Sequence, residues 1–245
     1  MSTAPLHTPS VSATPSSGWR IIYFDAANRG ECLRLLLTAA EVEFEDVRLS
    51  WPKGIAPYKA LGAASPMPYG QVPIVQHATA SGCVSIGQTA AAAQFIGSMN
   101  NLAPTDPGDL ARATSACIGI QEMYNALFYG SFVPRVVTNI LFCKLCPCVG
   151  VTRWRLRGKY DHWMGTYERW LRNSKPGSAE VAFLAGEAMS FADVCLFDCI
   201  EGVEDCGYFS VADRLSKYPL VSRLYSHVGD LPAVSKYIAS RGSRF

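Results

Sequence analysis

The hydrophobic positions of this chain change their period part-way along: short runs give way to helical spacing beyond about residue 110. Ile21-Ile22-Tyr23-Phe24 is an apolar run bounded by Gly18 and Asp25, which predicts a buried strand. A polar turn, Asp25 to Gly30, leads into Leu33, Leu36, Leu37 and Ala40 at helical spacing. Glu31 stands in the first turn of that helix, where an acid suits the dipole. Phe44 to Leu49 alternates and predicts a second strand. A β-α-β opening implies two parallel strands joined by a right-handed crossover. Trp51 to Pro66, with Pro52, Gly54, Pro57 and Gly62, reads as a long irregular loop of the functional or mobile kind. Val72 to Gln76 and Cys83 to Ile86 predict a hairpin, and the alanine-rich Gln88 to Ile96 predicts a helix.

The order β-α-β-loop-β-β-α, with a proline entering the third strand, is the thioredoxin-like plan. The redox version of that plan starts its first helix with Cys-x-x-Cys. Ala26-Ala27-Asn28-Arg29 occupies that place, which argues against disulfide chemistry. Met67-Pro68-Tyr69-Gly70-Gln71-Val72-Pro73 starts as a turn-rich loop and runs into the third strand. A proline cannot donate to a sheet ladder, and Val72-Pro73 is a candidate cis bond that would turn the Val72 backbone outward toward a bound chain.

Asn100 to Gly108 holds Pro104, Pro107, Gly108 and Asp106 as turn signals and reads as a linker. Strand signals then vanish. Tyr160, Trp163, Met164, Tyr167, Trp170 and Leu171 follow the i, i+3, i+4, i+7 rule and read as a core stripe. Ser190-Phe191-Ala192-Asp193 is a capping box with Asp in the glutamate position, and Met189 and Val194 sit where a hydrophobic staple would put them. It predicts a helix to about Asp205, with the Ser190 hydroxyl accepting from the Asp193 N–H. Helices near Pro219 to Val228 and Pro232 to Arg241 each begin with proline. The expected division is a tail of Ser, Thr, Pro and Ala over 1–18, a thioredoxin-like domain over 19–98, a linker over 99–109 and an all-helical domain over 110–245.

At 49% apolar and 17% charged residues the chain is globular, and its net charge of +2 points to no electrostatic partner such as nucleic acid or an anionic membrane. No apolar run reaches the roughly 18 residues that span a bilayer. The tail lacks the arginines of a transit peptide and the apolar core of a secretory signal, so the expected location is cytoplasmic. Nine cysteines is an odd number, and Cys32, Cys117, Cys195 and Cys199 fall inside apolar patterns, as buried thiols in a reducing compartment do. Cys143, Cys146 and Cys148 cluster without a fourth ligand at usable spacing; reactive or acylated thiols suit them better than a metal.

Tyr23-Phe24-Asp25 with Arg29-Gly30-Glu31, Met67 to Pro73, Gln88-Thr89, Gly186 followed by Ser190 to Asp193, and the Leu231-Pro232 helix together resemble the cytosolic glutathione S-transferases over roughly residues 19–242. The tyrosine type fits best, the sigma class closest. The resemblance implies a homodimer that uses glutathione as co-substrate, acts on small hydrophobic electrophiles and serves detoxification. It implies that Tyr23 is the catalytic tyrosine and that Arg29 supports the thiolate. Gln71, Val72 and Pro73 would pair with the cysteinyl backbone by strand addition. Gln88 and Thr89 would take the γ-glutamyl carboxylate at a helix N-terminus. Trp51 with Lys59, or else Lys53, would reach the glycine carboxylate. Gln121, Glu122 and Asn125 stand near the place of an acid that the family donates across its dimer, and Leu127, Phe128 and the turns before Phe132 near that of the electrophile.

Three functions compete. One is conjugation of glutathione, with isomerisation of a prostaglandin-type endoperoxide as its sigma-like variant. A second is sequestration of apolar ligands or haem without turnover. A third is a structural role. Retention of Tyr23, Arg29, Gln88 and Thr89 favours chemistry, and the longer Trp51 to Pro66 loop favours a binder.

Overall fold

The computed structural model describes residues 15–129, 147–174, 181–205 and 210–241. Strands β1 (Trp19–Phe24), β2 (Glu45–Leu49), β3 (Ile74–Thr79) and β4 (Gly82–Gly87) form one sheet in the order β2-β1-β3-β4. β1 and β2 are parallel, whereas β3 is antiparallel to both of its neighbours, β1 and β4. The expected β-α-β opening and hairpin are therefore present. Helix α1 (Asn28–Ala39) connects β1 to β2, and α3 (Thr89–Met99) follows β4.

The period of two along β1 decides which side each residue serves. Trp19, Ile21 and Tyr23 join the main core with Leu33, Leu36 and Leu37 of α1. Ile22 points the other way, into a smaller cluster with Leu49, Tyr58, Met67 and Ile74. Each such aliphatic side chain contributes about 1.5–3 kcal/mol on full burial, so a one-residue slip of β1 would forfeit both clusters.

Two boundaries differ from expectation. β3 begins at Ile74 and not at Val72, because Pro73 has no N–H to offer a ladder. The Val72-Pro73 bond is cis, as is Trp51-Pro52. The stretch Trp51 to Pro66 is not irregular. It holds a 3₁₀ turn (Lys53–Ile55), the short helix α2 (Ala56–Ala60) and a second 3₁₀ turn (Gly62–Ala64). Tyr58 of α2 anchors it by packing into the smaller cluster. Residues 15–18 also depart from the tail reading, since Ser16 donates its hydroxyl to Glu45 at 2.6 Å; residues 1–14 lie outside the described residues.

The linker shrinks to residues 100–106 between α3 and α4 (Pro107–Tyr124). Helices α5 (Pro147–Asn173), α6 (Phe191–Asp205), α7 (Val211–Leu215), α8 (Pro219–Gly229) and α9 (Pro232–Ser240) complete the described chain. In the stripe, Tyr160, Met164, Tyr167 and Leu171 are buried, with Trp163 and Trp170 packed against them. α6 is buried from Phe191 to Ile200 and forms the centre of the helical region.

Its N-terminus is closed by Asp193, whose Oδ2 accepts from the N–H and the hydroxyl of Ser190 at 2.7 and 2.8 Å. Oδ1 accepts from the Leu184 N–H at 2.9 Å. The carboxylate half of the capping box is as expected. The hydroxyl half is not: Ser190 Oγ donates to the carboxylate, and the Asp193 N–H goes to the Ser190 carbonyl at 3.1 Å. Cys32, Cys117, Cys195 and Cys199 are buried, with Cys117 and Cys195 sulfurs 3.7 Å apart. Cys143 and Cys146 lie outside the described residues. No helix among the described residues is long and apolar enough to cross a membrane.

Candidate active site

Sheet topology gathers the candidate residues. β1, β2 and β4 run the same way and β3 runs against them. The C-terminal ends of β1, β2 and β4 and the N-terminal end of β3 therefore share one sheet edge. α1 and α3 leave from that edge, so both present their N-termini there, where backbone N–H groups favour anions.

Tyr23 is the penultimate residue of β1 and is 5% exposed. Its ring lies directly against Gly30, where an added Cβ would fall 2.5 Å from Cδ1. The missing side chain lets the first turn of α1 close on the phenol. The Arg34 guanidinium stands 5.9 Å from the ring centre, within cation–π range. Arg34 is fully buried. It donates to both Asp46 carboxylate oxygens at 3.0 Å, to the Ala26 carbonyl at 3.0 Å and to Glu31 at 3.1 Å. It thus binds the β1–α1 turn to β2.

Trp51 follows β2 and is 75% exposed, with its ring edge-on to Phe24 at 4.8 Å. Lys59 extends from α2 toward the Met67–Pro73 loop, its Cε 3.9 Å from where a Gly70 side chain would begin. Gly70 needs no side chain at its φ of 61°. Lys53 is exposed in the 3₁₀ turn before α2. Pro68 and Tyr69 pack over Gly87 at the end of β4, which sets the loop beside Gln88. Gln71 is exposed, Val72 half-buried and Pro73 buried.

Gln88 precedes α3 with φ 68° and ψ 116°, and its carbonyl accepts the first helical bond, from the Ala92 N–H at 2.9 Å. A non-glycine residue held there is strained, and such residues cluster at binding sites. Thr89, the first residue of α3, is buried.

Arg29 lies in the first turn of α1 and donates to Asn125 Oδ1 at 2.5 Å. Of Gln121, Glu122 and Asn125, the last therefore reaches the site within one chain. The neighbouring pair, Tyr124 to Asn28 at 3.0 Å, was not suggested by the sequence, whose local pattern carries no signal for contacts 96 positions apart. Leu127 is buried and the Phe128 ring packs on Tyr124 at 4.4 Å; residues 130–132 lie outside the described residues.

Residues 156–241 match the family model for the glutathione S-transferase C-terminal domain. A probable glutathione S-transferase of Caenorhabditis elegans is 28% identical, over 91% of this chain and 96% of its own. Na-GST-3, a monomeric glutathione S-transferase of Necator americanus, superposes with a TM-score of 0.70 at 22% identity, covering 91% of this chain and 97% of its own. The fold is that of the glutathione S-transferases. Prostaglandin synthase D of Nilaparvata lugens shares it, with a TM-score of 0.66, 20% identity, and coverage of 91% of this chain and 98% of its own. In the glutathione S-transferase fold the four-stranded domain comes first and the helical domain second, the order seen here.

Proposed function

We propose that the protein is a cytoplasmic glutathione transferase of the tyrosine type, sigma-like, that adds the glutathione thiolate to small hydrophobic electrophiles. The observation that carries the reading is the single sheet edge shared by Tyr23, Trp51, the Met67–Pro73 loop and the Gln88–Thr89 helix start.

A free thiol titrates near ~8.5, so only about 3% is thiolate at neutral pH. Lowering that value by two units requires about 2.7 kcal/mol of preference for the anion. A hydrogen bond to a charged group contributes about 1.5–3 kcal/mol, so one phenol donor, Tyr23, suffices in magnitude. Arg29 adds positive charge beside the sulfur. The γ-glutamyl carboxylate takes the N-terminus of α3 and the Thr89 hydroxyl. The cysteinyl backbone pairs with Val72, flanked by Gln71 and Pro73, and the glycine carboxylate meets Lys59 beside Trp51. With an aryl halide, the thiol proton leaves to solvent, the sulfur lone pair forms the new C–S bond, and halide departs with the carbon–halogen pair.

Retention on immobilised glutathione followed by conjugation of an aryl halide tests this. Retention with turnover is expected. Retention without turnover would favour a binder, and failure of both would refute the reading. The likeness to a prostaglandin synthase favours endoperoxide isomerisation as the second activity to assay.

A further inference from the structure

α4 closes at Tyr124, and Asn125–Tyr129 continue as a π-helical turn. Such a turn carries an extra residue, shifts the side chains beyond it to a new face, and recurs at functional sites. At this junction two consecutive residues hold two consecutive residues of the first domain. The Tyr124 hydroxyl donates to Asn28 Oδ1 at 3.0 Å, and the Arg29 guanidinium donates to Asn125 Oδ1 at 2.5 Å. Asn28 stands in the left-handed region, φ 39°, which few residue types adopt. The turn is fixed from behind, since Lys159 of α5 donates to the Ala126 carbonyl at 3.4 Å.

The chemistry of residue 125 matters as much as its place. An amide oxygen gives a guanidinium a fixed acceptor and brings no charge of its own. A carboxylate in the same place would hold the guanidinium as well, but its negative charge would oppose a thiolate in the same cleft.

We propose that Asn125 is a positioning residue for glutathione activation: its amide oxygen aims the Arg29 guanidinium at the sulfur site while adding no counter-charge. The proposal rests on the reading of Arg29 as electrostatic support for the thiolate. The helical domain thereby sets the reactivity of a thiol bound by the other domain.

Asn125→Asp and Asn125→Ala are compared with wild type for kcat, for KM of glutathione and for the ultraviolet absorbance of the bound thiolate. In Asn125→Asp, kcat and thiolate absorbance at neutral pH are expected to fall about tenfold, equivalent to raising a bound thiol that titrates near ~6.5 by about 1.6 units, with KM within about twofold. Asn125→Ala is expected to fall less, about threefold, because it loses aim but gains no opposing charge. Melting temperatures should match, since residue 125 is exposed. Unchanged kcat and thiolate absorbance in both variants would overturn the proposal, and equal losses in the two would overturn its electrostatic part. Should wild type itself form no thiolate, the functional reading fails. A crystal structure of Asn125→Ala then decides the positioning separately: a displaced Arg29 guanidinium upholds it and an unmoved one overturns it.

Discussion

Arg34 is the residue on which the site's first turn depends. Its guanidinium is fully buried between Glu31, which is 2% exposed, and Asp46, which is 24% exposed. A buried pair contributes little over an apolar replacement, but removing one partner strands the other. Glu31 keeps a second cation, Arg241 at 3.0 Å, and Asp46 keeps Arg48 at 2.8 Å. Arg34→Met should therefore cost about 3 kcal/mol, the low end for a broken buried pair. For a chain of this length that lowers the melting temperature by about 6–12 °C. Arg34→Lys restores charge but not the forked geometry, and should fall between. Calorimetry of both variants checks this; an Arg34→Met protein as stable as wild type would show that the guanidinium does not hold the turn.

At the scale of an element, α6 carries the clearest stability test. Its N-terminus is buried, so its free N–H groups cannot turn to water. Burial pushes the Asp193 carboxyl up to about 6, against three donors that favour the anion. A folded value above the unfolded one means the folded state holds a proton that the unfolded state releases. This contribution is complete below about pH 4, the unfolded value, and is lost as the pH rises through about 6. Asp193→Ala should cost about 2 kcal/mol, the upper end for a lost cap, and the gap from wild type should narrow from pH 4 to 6. Denaturant titrations of both proteins across that range check it; a gap that widened with pH would reverse the sign. Conjugation per folded molecule should survive. This box was legible because Ser190 and Asp193 are three residues apart, although the direction of the hydroxyl bond was not, since a hydroxyl can donate or accept. β1 was legible from the unbroken apolar run Ile21-Ile22-Tyr23-Phe24, which the sheet buries on both of its faces. α2 was hidden by Pro57, which reads as a breaker but sits at the second helical position, where no N–H is needed. The pairing of Glu31 with Arg241 left no trace in the sequence, because no local period links residues 210 apart.

The whole molecule is joined across its domains by charge as well as by apolar packing. Arg241 bridges Glu31 of α1 and Glu201 of α6 at 3.0 Å each, while Tyr237 of α9 and Tyr225 of α8 add hydroxyls to Glu31 and Glu201. The helix that carries Arg29 in its first turn is thereby tied to the end of the described chain. Exposed apolar side chains remain on α3 and α4: Met99 is 52% and Ile118 50% exposed. Two-fold pairing is the commonest arrangement of identical chains, and pairing with a second copy is the expected state. Sedimentation at micromolar concentration should give a dimer, and a fully active monomer of about 27 kDa would contradict it. Tyr23→Phe, measured by conjugation kinetics, tests whether the Tyr23 hydroxyl activates glutathione. The hydroxyl acts on the thiolate more than on ground-state binding. A fall in kcat of about ten- to a hundredfold is expected, with KM for glutathione nearly unchanged. A Tyr23→Phe protein that conjugates at the wild-type rate would contradict it and move the thiol-activating group to another residue.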